Sequence, residues 1–143
     1  KLILATSVVF SAAANAIEPP FQLPLYTFKC NMTDAVGFQA DRMNWESAKF
    51  DVKGNEFLIR PLTEEEKKKH PGFTYGTGEH IGLLHSTCEN PHPGIYHCSH
   101  IERLGEIKFS SISGRFISTY TGGYWFGGNQ GAPAMAIGTC QRV

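Results

Sequence analysis

The stretch that decides the fold is IKFSSISGRFISTY, Ile107–Tyr120. Two short runs rich in β-branched and aromatic residues flank Ser113-Gly114, a pair that suits a two-residue hairpin loop. Pairing around that loop sets Ile107 opposite Tyr120, Phe109 opposite Ser118 and Ser111 opposite Phe116. Ile107, Phe109, Phe116 and Tyr120 then share one face, and Lys108, Ser110 and Thr119 share the other. A period of two that agrees with a turn signal predicts an antiparallel hairpin with one buried face.

The pattern continues in both directions. LYTFKCNM (Leu25–Met32) alternates Tyr26, Phe28, Cys30 and Met32 against Thr27, Lys29 and Asn31. TDAVG reads as a turn, DRMN (Asp41–Asn44) as another, and SAKFDV as a strand. Asp34, Asp41 and Glu46 are read as turn residues, serving as turn acceptors. KGN (Lys53–Asn55) is a tight turn before the strand EFLIRPL. FTYGTGEH reads as a loop. HIGLLHSTC, GIYHCSH and GEIKFSSI are three more strands, and AMAIGTC is the last. One segment argues for helix: TEEEKKKH, from Thr63, has a capping box to Glu66 and acids ahead of bases. It has no apolar face, so the helix is short, solvated and ended by Pro71. Many short strands joined by hairpins predict an all-β fold, a small antiparallel β-barrel with a β-sandwich as the alternative.

The chain opens with KLILATSVVFSAAANA. A basic start, an apolar run and a small-residue Ala14-Asn15-Ala16 end have the layout of a secretory signal peptide. This predicts a leader over 1–16 and a single β domain over 17–143, periplasmic or secreted. No apolar stretch is long enough for a membrane span, which needs roughly 20 residues. Thirteen basic residues balance thirteen acidic ones, which argues against a nucleic-acid partner.

Four cysteines in an exported chain are two disulfides. Cys88 and Cys98 flank a Pro/Gly turn, and Cys30 and Cys140 lie near the two ends, so the favoured pairs are Cys88–Cys98 and Cys30–Cys140. The segment LLHSTCENPHPGIYHCSH (Leu83–His100) also gathers four of the six histidines. A zinc reading would use His85-x2-Cys88 and Cys98-x-His100, or histidines alone from His85, His97 and His100. Disulfide formation removes the thiolates that the first version needs.

No catalytic motif is present. There is no G-x-S-x-G elbow, no phosphate-binding loop and no leftover thiol for a Cys–His pair. The chain is expected to be non-catalytic and to need no cofactor. GGYWFGGNQGAP (Gly122–Pro133) sets Tyr124, Trp125 and Phe126 between glycine pairs. Exposed aromatics on such a loop favour contact with a protein or carbohydrate ligand. Trp45 is a core candidate.

The run FKCNMTDAVGFQAD…NWESAKFDVKGNEFLIR, then GIYHCS, then GRFISTYTGGYW…AIGTCQ resembles a group of small exported bacterial proteins, chiefly proteobacterial. The shared features are a cysteine before an acidic-Ala-Gly-aromatic turn, a Trp…Phe segment and a C-terminal IG-x-C. The resemblance implies export and carries no activity. A vaguer similarity to lysozyme-inhibitor barrels implies, as an alternative to a metal-binding role, an inhibitor of an envelope-active hydrolase. The inhibitors' loop motif is not visible, so no residue role is carried over.

Overall fold

The computed structural model describes residues 25–41, 44–78, 84–99, 105–125 and 131–143. The predicted leader, 1–16, lies outside them, as do His100 and Phe126. Among the described residues nine strands form one antiparallel sheet: β1 Phe28–Asp41, β2 Asn44–Lys49, β3 Glu56–Pro61, β4 Tyr75–Gly78, β5 Ser86–His92, β6 Ile95–Ser99, β7 Gly105–Ser110, β8 Arg115–Tyr120 and β9 Ala134–Arg142. Helix α1 is Glu64–Lys69, and a helical turn, α2, is Gly122–Trp125.

The sheet closes on itself. Strand β1 is long enough to have three partners: β3 along its first residues, β9 along Phe28–Gly37, and β2 along Val36–Asp41. The cycle β1-β3-β4-β5-β6-β7-β8-β9 is an eight-stranded antiparallel barrel, with β2 a ninth strand outside it. Closure removes the open edges that a flat sheet would expose. Both disulfides join residues directly opposite on neighbouring strands, Cys30 with Cys140 and Cys88 with Cys98. The first ties the β1–β9 seam. The second staples the β5–β6 hairpin.

The predicted apolar faces point inward. Phe28, Ile59, Tyr75, Tyr96, Ile107, Phe109 and Phe116 are buried with the four cysteines. Their rings meet edge to face: Phe28 with Phe109 at 4.9 Å, Tyr75 with Tyr96 at 4.8 Å, and Phe57 with Phe116 at 5.0 Å. Such pairs stabilise beyond their buried area.

The structure corrects several details. The β7–β8 hairpin pairs Ile107 with Ser118 and Phe109 with Phe116, two residues away from the predicted register. The loop is Ser111–Gly114. Its Gly114 adopts φ +67 and donates its N–H to the Ser110 carbonyl at 2.8 Å. A shift of two preserves side-chain parity, so the inward face is unchanged.

TDAVG is no turn but the middle of β1, with a bulge between Met32 and Asp34. Gly37 there allows the close approach of Pro133, where a Cβ would meet its carbonyl. Asp34 and Glu46 therefore lie in strands rather than turns. FTYGTGEH supplies β4, and its Gly76 is packed against Leu62 and Leu84. The aromatic loop starts as the helical turn α2.

Helix α1 has the predicted capping box, Thr63 Oγ1 accepting from the Glu66 N–H and Glu66 Oε2 from the Thr63 N–H. It is not simply a solvated face. Glu66 turns down onto β3 and forms a two-pronged ion pair with Arg60, 2.8 Å on each prong. Arg60 is only 3 % exposed and Glu66 14 %. Arg60 Nη1 also donates to the Pro61 carbonyl, while its buried Nε has no partner. The Arg60 hydrogen bond, together with the Thr63 cap, outweighs burial and holds the Glu66 carboxyl down at about 2.

Candidate functional site

Side chains on alternate residues of β1, β2 and β9 point away from the barrel. After the bulge, Asp34, Val36, Phe38 and Ala40 of β1 face outward, in register with Ile137 and Met135 of β9 and with Lys49, Ser47 and Trp45 of β2. Val36, Phe38, Met135 and Ile137 are each about half exposed, and Ile117 of β8 extends the row beside Ile137. Outward strand positions on a water-soluble face are usually polar. A contiguous set of exposed apolar side chains marks an interaction surface.

At one end this face deepens into a groove of about 350 Å³ lined by Phe38, Trp45, Tyr124 and Pro133. Its geometry follows from the chain. The Phe38 N–H donates to the Pro133 carbonyl at 2.9 Å, which brings the segment leading into β9 alongside β1. The pair Ala40↔Trp45 places the indole on the same face as Phe38. The turn α2 then delivers Tyr124 edge-on to Trp45, 5.6 Å between centroids at 73°. Tyr124 remains 62 % exposed.

The sequence singled out Tyr124, and the structure places it in this groove. Trp125 closes α2. Trp45, a core candidate in the sequence, is half buried and forms a wall of the groove. Phe38 and Pro133 were not anticipated. The signal for Phe38 was present in the Val36-x-Phe38 alternation, but reading TDAVG as a turn hid it.

Among the described residues, which leave out His100, the histidines form no metal-binding group. His97 faces outward on β6 and bonds Glu106 at 2.8 Å, and Glu106 also meets Lys108 at 3.2 Å. The His97 bond, then the Lys108 bond, lower the Glu106 carboxyl. His85 is exposed ahead of β5. Among the described residues no three His, Cys, Asp or Glu side chains converge as a metal site. Cys88 and Cys98 are held in their disulfide, so the cysteine version of the zinc site is excluded.

A second concavity of about 540 Å³ opens at one barrel end, between Tyr26 and the β5–β6 turn. Its floor is Phe28, Tyr75, Tyr96 and Cys88. The Tyr26 N–H donates to Tyr75 Oη at 3.0 Å, and burial pushes the Tyr96 hydroxyl up to about 12. The floor residues are almost fully buried by one another, so they present little surface to a ligand. The outer groove exposes its aromatics and is the stronger candidate. No described helix is long and apolar enough to cross a membrane. Comparison with protein-family models, curated proteins and solved structures gave no match.

Proposed function

We propose that this chain is a non-catalytic binding module of an exported compartment, periplasmic or secreted, that takes its ligand on the outer face of the barrel. The two disulfides are consistent with an oxidising environment. The observation that carries the reading is the groove of Phe38, Trp45, Tyr124 and Pro133, continued by Val36, Met135 and Ile137. Aromatic anchors at the centre of an apolar face are the usual carriers of binding energy between proteins. Exposed aliphatic side chains beside them favour an apolar segment of a protein partner over a sugar, whose hydroxyls need polar neighbours. An envelope hydrolase held by this face would be one such partner.

The test is a binding screen of purified envelope proteins and glycans, with wild type, Tyr124→Ala and Phe38→Asp in parallel. A protein ligand weakened at least about tenfold by each variant, the loss of roughly 1.4 kcal/mol, supports the reading. A ligand that binds all three forms equally places the function elsewhere on the chain.

A further inference from the structure

Strand β2 is the one strand outside the closed barrel, and among the described residues nothing pairs with its far side. The direction of its main-chain groups follows from its neighbour. The Phe38 N–H points to Pro133, away from β2, whereas the Phe50 N–H reaches the Ala35 carbonyl at 3.0 Å. In an antiparallel ladder opposed residues either exchange both hydrogen bonds or turn both pairs of groups away. Phe38↔Ser47 is therefore a pair of the second kind. By alternation Trp45, Ser47 and Lys49 all direct N–H and C=O to the open edge, with their side chains on the outer face.

We propose that this edge pairs with the same edge of a second copy of the chain, antiparallel about a two-fold axis at Ser47. Two adjacent antiparallel strands in one sheet are related by a two-fold perpendicular to it, so opposed residues must share a face. Centring on Ser47 sets Ser47 against Ser47 and Trp45 against Lys49, in both directions. All three edge-directed residues then find edge-directed partners. The Lys49 ammonium, 74 % exposed and 3.3 Å from Asp34, comes over the face of the other copy's Trp45. Centring on Glu46 would oppose two carboxylates. Centring on Ala48 would leave Trp45 without a partner in the other β2. The paired state carries two outer grooves on the same side of one continuous sheet, suited to bivalent capture. This inference goes beyond the binding reading and stands without it.

The strand pair alone is smaller than a standard interface of about 800 Å² per partner, so association is expected in the micromolar range. Sedimentation equilibrium of the whole chain, from about 1 µM to about 1 mM, reads it directly. The mass should double across that range. Ser47→Pro removes an N–H directed to the open edge, a site where an edge strand tolerates proline. It should raise the dissociation constant at least about tenfold while the fold is kept. Lys49→Glu should weaken the dimer as well. Amide exchange of wild type supplies a readout independent of any variant: the Ser47 amide should exchange fast when dilute and be protected when concentrated. A monomer at every concentration overturns the proposal, as does a dimer indifferent to Ser47→Pro. Protection of the Ser47 amide in the dilute monomer also overturns it, because the edge is then covered within one chain.

Discussion

Replacing Glu66 with glutamine tests how helix α1 is fixed to the barrel. The substitution keeps size and shape and removes the charge that faces Arg60. In the native protein Glu66 accepts both guanidinium prongs at 2.8 Å and the Thr63 N–H at 2.8 Å. Its carboxyl sits at about 2 against an ordinary 4.5. That difference corresponds to about 3 kcal/mol of stability at neutral pH. The same magnitude follows from leaving a buried charge unpaired, about 3–5 kcal/mol. Among the described residues Glu66 is the acid that Arg60 pairs with, and the guanidinium Nε is already unsatisfied. The sign with pH is fixed by the lowered folded-state value. The contribution is fully present above the unfolded carboxyl's range and is lost as pH falls through about 2. Urea unfolding of wild type and Glu66→Gln at pH 7, 4 and 3 therefore gives a gap of about 3 kcal/mol at pH 7 that has roughly halved by pH 3. A gap under about 0.5 kcal/mol at pH 7, or one constant with pH, refutes the reasoning.

Other outcomes follow from the same structure. The Cys30–Cys140 bridge closes a separation of 110 residues and Cys88–Cys98 one of 10. In the chain-entropy model these contribute about 4.8 and about 2.7 kcal/mol, so Cys30→Ser/Cys140→Ser should be the more destabilising double variant. Equal losses in denaturant unfolding would count against the long-loop account. Tyr124→Ala removes an exposed ring whose described ring contact is with Trp45, so it should lower stability by less than about 1 kcal/mol while shifting the tryptophan emission. A large loss of stability would show that Tyr124 is structural and weaken its assignment to binding.

The class of fold was legible because closure of a barrel depends on side-chain parity, and parity is written in the alternation of apolar residues. Phe109 and Phe116 would face inward in either of two registers, so the hairpin was placed correctly although its loop was read two residues too short. The disulfides were legible because their positions, one pair around a turn and one at the chain's ends, match strand neighbours in a closed meander. Gly37 and Gly76 misled the reading. A glycine signals a turn when it supplies backbone freedom, but here each is needed for close approach: of Pro133 to β1, and of Leu62 and Leu84 to β4. Nothing in a local window distinguishes the two uses. Misreading Gly37 cut β1 in half and concealed the outward Val36 and Phe38. Glu66 was hidden for a different reason. Within a run of six charges its role depends on Arg60, which the sheet brings beneath it and which no helical period reveals.

If the proposed function holds, the outer face around Phe38 is where the protein meets its ligand. A photoreactive phenylalanine analogue at position 38, compared with the same analogue at exposed Glu64 on α1, tests it most directly in the cell fraction that holds the native protein. Position 38 should give a discrete protein adduct that disappears when Tyr124 is also alanine, and position 64 should give none. Identical adducts from both positions, or none from position 38, would contradict it.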